Sequence, residues 1–281
     1  MVVAHPRKLL HRTVKALFRS LGYELVWHRR QESSGGARYV VEFPVTAVFD
    51  YFYAWETRFH IDGHPYGGST DYTSARVSLL NIAELYDHTD FRGKSVLELG
   101  PLEGGNTLML SRLGARRITA IEGRVENYVK CCVVKNLFGL ENVTFALDDV
   151  RNVSLDAYGR FDIALVAGVL YHLDNPHILI ERLSVIADNL VISTHYADAA
   201  SPSPNAEVLT LKTKFGTYRG RSFREGGLHE INSGLQTTSF WPFEEDLTRM
   251  LRDVGYKNLT VIKSPLLEGD PYSLIYLVAK R

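Results

Sequence analysis

The sequence lacks three features that would direct an interpretation at once: a charge imbalance, a long hydrophobic run and a set of cysteines. Its 281 residues contain 32 Lys and Arg against 32 Asp and Glu, so the molecule as a whole has no attraction for nucleic acid or an anionic membrane. No stretch approaches the roughly 20 apolar residues of a membrane span. The early hydrophobic residues are interrupted by charge, so we expect no secretory signal. The two cysteines, Cys131 and Cys132, are adjacent, which excludes a disulfide framework. These absences favour a cytoplasmic globular protein.

Positive charge is concentrated near the N-terminus, in the stretch PRKLLHRTVKALFRSL. At about 100° per residue, its Lys and Arg residues share one narrow helix face, and leucines and a valine share the opposite face. The pattern predicts an amphipathic helix over residues 6–21 that ends at Gly22. Three interpretations stay open: a helix that packs its leucines on the domain, an anchor for peripheral contact with an anionic membrane or a lipid-linked substrate, or a contact with RNA.

From about residue 80, short β-rich runs alternate with helical runs. Strands are predicted at 95–100, 117–123, 143–149, 161–168 and 189–196, which indicates a parallel sheet with helical crossovers. A predicted helix at 242–255 precedes the runs NLTVIKS and YSLIYLVAK, and the short turn between these runs permits only an antiparallel pair. The predicted fold is α/β: a Rossmann-like, doubly wound, mostly parallel seven-stranded sheet that ends in an antiparallel hairpin and follows an N-terminal helical extension.

Composition divides the chain into two parts. Residues 1–75 hold the basic helix, a Gly/Ser-rich linker and an aromatic-rich extension in which we expect a strand and a helix. Residues 76–281 form the α/β domain. Within it, the segment 197–240 has few periodic signals, and we expect it to be an insertion that covers the site and chooses the substrate.

A glycine is missing from the loop after the first strand of this domain, which reads LELGPLEGG at residues 97–105. A dinucleotide fold needs a middle glycine for close approach to the pyrophosphate, and Leu102 occupies that position. Carboxylates also end three successive strands: Glu98, then Glu122, then the pair Asp148 and Asp149. Glu122 would fit the ribose of a dinucleotide equally well, but the acid before the loop would have no purpose there. Ligands of such sheets bind at the carboxyl ends of the strands, so the acids favour a hydroxyl-rich cation over a polyanion.

The loop resembles the first motif of the class I S-adenosylmethionine-dependent methyltransferases, an acid followed by spaced glycines. Glu98, Gly100 and Gly104 carry the resemblance, with Pro101 between them, and it extends well over residues 80–197 and in outline over 240–281. The resemblance implies S-adenosylmethionine as the cofactor. It also implies further cofactor-binding residues: Glu122 for the ribose hydroxyls, Asp149 and Val150 with the neighbouring Asp148 for the adenine, and Ala167 and Gly168 along the methionine part.

Two histidines lie where an acceptor of the methyl group is expected. His172 follows the fourth strand in GVLYHLDNP, and His195 ends the fifth in STHYAD. Methyl transfer from a sulfonium is an in-line displacement that depends on alignment, and a hydroxyl acceptor benefits from a general base, most often histidine. We therefore take both as catalytic candidates, although either histidine can be structural and Tyr196 or Asp198 can replace His195 in this role.

A third histidine, His229, is followed by Glu230 in the proposed insertion. Two such residues without further ligands do not form a recognised metal-binding pattern, so we expect no metal.

The segments ELGPLEGG, GVLYHLDNP and STHYAD together resemble small-molecule and glycan O-methyltransferases, and the basic opening helix resembles those of enzymes that modify surface glycans. The predicted function is methyl transfer to a hydroxyl of a sugar, glycan or other small molecule, in the cytoplasm. GVLYH also resembles tRNA wobble-uridine carboxymethyltransferases, but the zero net charge disfavours an RNA partner. A non-catalytic module that binds the cofactor is the other alternative. The oligomeric state stays open.

Overall fold

The computed structural model describes residues 45–52, 54–70, 89–198, 207–227, 233–263 and 273–281. The chain divides into two units between Thr70 and Asp71. The predicted basic helix at 6–21 lies outside the described residues and stays a prediction. In the part of the chain that is described, no helix combines the length and the hydropathy needed to cross a membrane.

The first unit contains a 3-10 helix, Val45–Asp50, and a two-stranded antiparallel hairpin of β1 (Arg58–Ile61) and β2 (His64–Gly67). The strand and helix expected in the aromatic-rich stretch begin in residues outside the described part of the chain, and from residue 45 onward the structure has this short helix and hairpin. Asp62 and Gly63 connect the strands with positive φ angles of 50° and 79°. This pair is the Asp-Gly turn that favours a two-residue hairpin, so the sequence carried a signal for it.

An aromatic cluster holds the first unit together. The Phe49 ring centroid lies 4.9 Å from that of Trp55, 5.6 Å from Tyr66 and 5.9 Å from Phe59. Phe59 is fully buried. Large aromatic side chains contribute much apolar area each, which lets a segment of this length form a local core.

The second unit contains a seven-stranded sheet and a three-stranded sheet, with helices against them. Its strands are β3 (Ser95–Leu99), β4 (Arg117–Glu122), β5 (Val143–Leu147), β6 (Phe161–Ala167), β7 (Ala187–His195), β8 (Val208–Thr213), β9 (Gly216–Arg224), β10 (Thr238–Pro242), β11 (Asn258–Lys263) and β12 (Leu274–Lys280). Its described helices are α1 (Gly105–Arg112), α2 (Val125–Leu137), α3 (Leu155–Tyr158), α4 (Pro176–Ile186) and α5 (Glu244–Asp253).

The large sheet has the strand order β11-β12-β7-β6-β3-β4-β5. Strands β3 to β7 are parallel, β12 is antiparallel to β7, and β11 is antiparallel to β12. The predicted mostly parallel sheet with a terminal antiparallel hairpin is confirmed. The strand order reverses between β3 and β6, which opens a crevice at the carboxyl ends of these strands.

The two faces of β3 serve different purposes. Leu97 and Leu99 belong to the main core, together with residues of α4 and α5 such as Leu179 and Leu247. Because side chains alternate along a strand, Glu98 points to the opposite face, where it meets α1. The apolar face therefore fixes the strand while the other face presents an acid at the crevice.

The insertion forms a three-stranded antiparallel sheet in the order β10-β9-β8, where the sequence showed few periodic signals. Leu209 and Leu211 of β8 pack against the main core together with Tyr218 and Phe240. Leu209 and Leu211 alternate with exposed neighbours, so a strand signal exists, but it covers only six residues. The insertion is thus an ordered part of the domain over its described residues.

Candidate functional site

The loop between β3 and α1 turns through three residues in the left-handed region. Gly100, Leu102 and Gly104 have φ angles of 65°, 57° and 86°. A side chain at Gly100 would place its Cβ 2.5 Å from Cγ2 of Val169, so only glycine fits there. Leu102 adopts the conformation that glycine favours, so the tight turn is kept although the glycine is missing.

The second acid of this loop has a structural partner. Glu103 and Lys130 are both fully buried, and Lys130 Nζ lies 3.0 Å from Glu103 Oε1. Lys130 Nζ also lies 3.1 Å from the half-exposed carboxylate of Glu126. Glu103 therefore ties the loop to α2.

Glu98 is the buried acid at the end of β3. It is 1% exposed, and Thr107 Oγ1 of α1 donates a 2.5 Å hydrogen bond to its Oε2. Among the described residues, its Oε1 has no hydrogen-bond partner. Burial, opposed by the Thr107 hydrogen bond and reinforced by the charge of Glu122, raises the pKa of Glu98 to about 8. An unsatisfied buried oxygen of this kind suits a ligand that brings a hydrogen-bond donor or a positive charge.

Glu122 ends β4 and is 5% exposed. The Leu102 and Arg124 backbone N–H groups donate to its two carboxylate oxygens over 3.1 Å and 2.9 Å. Burial raises its pKa, although these backbone bonds and the Asn127 side chain favour the carboxylate. Glu122 thus connects the loop after β3 with the residues after β4, and its oxygens keep lone pairs for hydroxyl donors.

The two predicted adenine-site acids follow β5 and already have local partners. Tyr158 and Asn152 donate to Asp148 over 2.5 Å and 2.8 Å, and these bonds lower its pKa. Asp149 caps the short 3-10 helix Val150–Asn152 and pairs with Arg151 at 2.5 Å. Burial opposes ionisation of Asp149, but the Arg151 contacts outweigh it and lower the pKa. Both side chains are therefore carboxylates that shape the turn after β5.

At the end of β6, Ala167 is buried and Gly168 has a φ of 72°. The Gly168 N–H donates to the Ser193 carbonyl over 3.0 Å. The chain then enters a 3-10 helix, Leu170–His172. The predicted cofactor residues after β3, β4, β5 and β6 consequently lie along one edge of the parallel sheet.

The two candidate histidines belong to one cluster of rings at this edge. The Tyr171 centroid lies 4.1 Å from His172 and 4.5 Å from His195, and Trp241 stacks on His195 at 5.0 Å. Phe223 stacks on the Trp241 ring at 3.9 Å. Burial and the charge of Glu225 raise the pKa of Tyr171 to about 12, so its hydroxyl stays protonated. The structure therefore brings both predicted histidines together and adds aromatic residues that sequence reasoning missed.

Glu225, directly after β9, is a further residue that sequence reasoning missed. Its Oε2 lies 2.9 Å from His172 Nδ1. The same oxygen accepts hydrogen bonds from Ser233 Oγ at 2.8 Å and from the Gly234 N–H at 2.7 Å. Burial disfavours its charge, but the bonds from His172 and Gly234 outweigh this and lower the pKa of Glu225 to about 2. Glu225 is therefore a carboxylate held beside the imidazole.

The insertion also reaches the end of β4. The Arg124 guanidinium donates to the carbonyl oxygens of Gly227 at 2.9 Å and Ser233 at 2.5 Å. Leu235 lies against Gly123, where an added Cβ would come within 2.8 Å of Leu235 Cδ1. The insertion thus contacts residues beside Glu122 as well as His172.

No group of three or more metal-binding side chains occurs among the described residues. His229 and Glu230 lie outside them. The expectation that no metal is used stays a prediction.

No protein-family model and no curated protein matches the sequence. Among solved structures, the chain is similar to the N-terminal domain of EvdMO1 with S-adenosylhomocysteine bound, at 27% identity and a TM-score of 0.68, over 84% of this chain and 95% of that one. The same domain in the presence of S-adenosylhomocysteine and D-fucose gives 26% identity and a TM-score of 0.67 over the same shares. The match covers 46% of the longer EvdMO1 chain. An S-adenosylmethionine-dependent methyltransferase from Mesorhizobium loti shares the fold at 13% identity and a TM-score of 0.53, over 72% of this chain and 97% of that one.

The chain has the fold of the class I S-adenosylmethionine-dependent methyltransferases. The geometry of the site described above fits S-adenosylmethionine. Glu98 offers an unpartnered buried oxygen, and among the described residues Asn127 Oδ1 is likewise buried without a hydrogen-bond partner. Buried oxygen atoms that can accept hydrogen bonds suit a ligand with an ammonium group and hydroxyls. Such a ligand does not require a phosphate-binding glycine.

Proposed function

We propose that this methyltransferase transfers a methyl group from S-adenosylmethionine to a hydroxyl group of a sugar or a sugar-containing small molecule, with His172 as the general base. The observation that carries the proposal is the ring cluster of Tyr171, His172, His195 and Trp241 at the carboxyl edge of the sheet, next to the loop after β3. The EvdMO1 domain crystallised in the presence of D-fucose supports a sugar as the acceptor.

The cofactor would be held by residues at the strand ends. Glu122 would hold the ribose hydroxyls, Asp149 and Val150 the adenine, and Glu98 with Gly168 the methionine part. S-Adenosylmethionine supplies an electrophilic methyl group when it is bound. The chain's own contribution is to align the acceptor oxygen, since alignment accounts for much of the rate of an in-line displacement.

The proposed base is His172, because it directly follows the loop that lines the methionine part. In this proposal His172 takes the hydroxyl proton as the acceptor oxygen is methylated. Tyr171 is unsuited to this role, since its pKa of about 12 keeps its proton in place at neutral pH. The partly exposed ring of Tyr171 offers apolar surface on which the C–H groups of a sugar can rest, and the buried Trp241 packs behind it and His195. We assign the choice of acceptor to the insertion.

Labelled-methyl transfer tests the acceptor class. The purified protein and methyl-labelled S-adenosylmethionine are incubated with cell extract, and the labelled products are digested with glycosidase or with ribonuclease. We expect glycosidase to release the label. Release of the label by ribonuclease would support the tRNA alternative. A protein that binds the cofactor normally but transfers no labelled methyl group would be a non-catalytic module.

Replacement of the base tests the assignment of His172. We expect His172→Ala to lower kcat at least tenfold while the affinity for S-adenosylhomocysteine is unchanged. His64→Ala, at an exposed position of β2, is the matched control and should retain full turnover. Wild-type turnover of His172→Ala would exclude His172 as the base.

A further inference from the structure

We propose that Glu225 is a positioning residue that fixes the tautomer of His172, so that Nε2 is the ring nitrogen that takes the proton of the acceptor. The inference rests on the proposed function, in which His172 is the base. It gives the insertion a second purpose besides the choice of acceptor, because the insertion then also prepares the base for its reaction.

The tautomer follows from the protonation state of the partner. Glu225 Oε2 and His172 Nδ1 are 2.9 Å apart, and their side chains are 7% and 18% exposed. With a pKa lowered to about 2, Glu225 has no proton to donate at neutral pH. A carboxylate only accepts hydrogen bonds, so Nδ1 must carry the hydrogen between them. The neutral ring then has its lone pair on Nε2, and the nearby carboxylate stabilises the positive charge that develops when Nε2 takes a proton.

The carboxylate is held in place independently of His172. Ser233 Oγ and the Gly234 N–H donate to the same Oε2 atom over 2.8 Å and 2.7 Å. The Glu225 N–H donates to the Thr237 carbonyl over 2.9 Å, which fixes its backbone. The insertion thus positions the carboxylate, and the carboxylate in turn orients the ring.

Close packing around His172 restricts the orientation of its ring. An added Cβ at Gly234 would lie 2.7 Å from the His172 carbonyl oxygen and 3.2 Å from Glu225 Oε2. Tyr171 contacts the ring from the neighbouring position, with a centroid distance of 4.1 Å. Glu225, Gly234 and His172 therefore form one packed unit across the insertion and the end of β6.

Nitrogen NMR of the histidine rings tests the tautomer without any need for turnover. The full chain is labelled with ring-¹⁵N histidine, and His172→Gln identifies the His172 signals. We expect wild-type His172 to carry hydrogen on Nδ1. Glu225→Gln should shift population to the Nε2–H tautomer, because an amide donates as well as accepts. Glu207→Gln, an exposed glutamate of the same insertion, is the control and should leave the signals unchanged. Unchanged His172 signals in folded Glu225→Gln would overturn the proposal.

Kinetics separate positioning from a merely structural role. We expect Glu225→Gln to lower kcat roughly 10-fold to 100-fold, with the acceptor KM and the affinity for S-adenosylhomocysteine within about twofold of wild type. Glu225→Asp, which keeps the carboxylate, should recover part of kcat. Equal losses of kcat and cofactor affinity, without recovery in Glu225→Asp, would overturn the proposal. A wild-type protein that methylates no acceptor would contradict the proposed function instead, and the NMR signals would still decide the tautomer.

Discussion

Glu98 carries a charge state that depends on what is bound beside it. Its pKa of about 8 means that the ligand-free protein holds a proton on this carboxyl at pH 7. A cationic group at its unpartnered oxygen favours the carboxylate and lowers the pKa. If the cofactor ammonium group lies beside Glu98 as proposed, its binding at pH 7 is expected to remove a proton from this carboxyl.

We predict that binding of S-adenosylhomocysteine at pH 7 releases a proton from Glu98, since this ligand retains the ammonium group of the methionine part. Isothermal titration in two buffers with different ionisation enthalpies measures the number of protons released. At pH 9 the release from Glu98 should be much smaller, because most of this carboxyl is then already ionised before the ligand binds. Glu98→Gln should abolish the buffer dependence and weaken binding at least tenfold. Identical binding enthalpies in both buffers with the wild-type protein at pH 7 would contradict the prediction.

Leu102 shows a conflict between side chain and backbone in a single residue. Its φ of 57° lies in the region where a Cβ costs roughly 1–2 kcal/mol. We predict that Leu102→Gly unfolds with a free energy roughly 1 kcal/mol higher than Leu102→Ala, although glycine is normally the less stable of the two. Both variants lose the leucine side chain, so the comparison isolates the backbone, and urea unfolding measures it. A more stable alanine variant would show that the loop relaxes to a negative φ.

At the scale of secondary structure elements, a buried ion pair joins the loop after β3 to α2. Lys130→Met removes the buried cation from beside the fully buried Glu103 carboxylate, so we predict that it lowers the free energy of unfolding by about 3 kcal/mol or more. Glu126→Gln is the matched control, because the Glu126 side chain is 57% exposed and such pairs contribute under about 1 kcal/mol. Chemical denaturation of both variants gives the comparison. Similar losses in the two would mean that α2 depends on its charge pattern and not on the buried pair.

The parallel strands could be predicted from the sequence because each is a continuous apolar run bounded by turn residues. The run LVA of β6 followed by Gly168 is an example, since a strand covered on both faces needs no polar alternation. Strands β8 and β9 escaped prediction because they are partly exposed and carry charged residues such as Lys212 and Arg219. Their burial against α5 and the main core is a tertiary effect that a short window does not reveal.

The residues of the candidate site also differed in how well the sequence predicted them. Glu98 and Glu122 could be found from the sequence, because each ends a strand and parallel strands bring their carboxyl ends to one edge. Glu225 could not, since its role depends on contact with His172, 53 residues earlier in the chain. Trp241 was missed for the same reason. The local sequence pattern indicates the proposed cofactor residues, whereas the residues proposed for the acceptor side come together only when the insertion folds against the sheet.

At the scale of the whole molecule, Arg124 connects the end of β4 with the insertion. Its backbone N–H holds Glu122 and its guanidinium holds the insertion at Gly227 and Ser233. We predict that Arg124→Ala lowers kcat at least tenfold but weakens cofactor affinity much less, because the backbone bond to Glu122 survives and the support of Glu225 does not. Titration with S-adenosylhomocysteine and steady-state turnover provide the two values. Equal losses in both would show that the guanidinium acts on the cofactor directly.

The Arg124 contacts have a consequence for how such an enzyme acquires new acceptors. Each carbonyl that its guanidinium reaches in the insertion, at Gly227, Ser233 and Gly234, belongs to the main chain. A main-chain carbonyl is present whatever the side chain, so substitutions elsewhere in the insertion do not remove the oxygen atoms that Arg124 binds. Under the proposed function, descendants of this protein can therefore change the acceptor-facing surface of the insertion one substitution at a time, while Arg124 keeps the insertion attached beside Glu122.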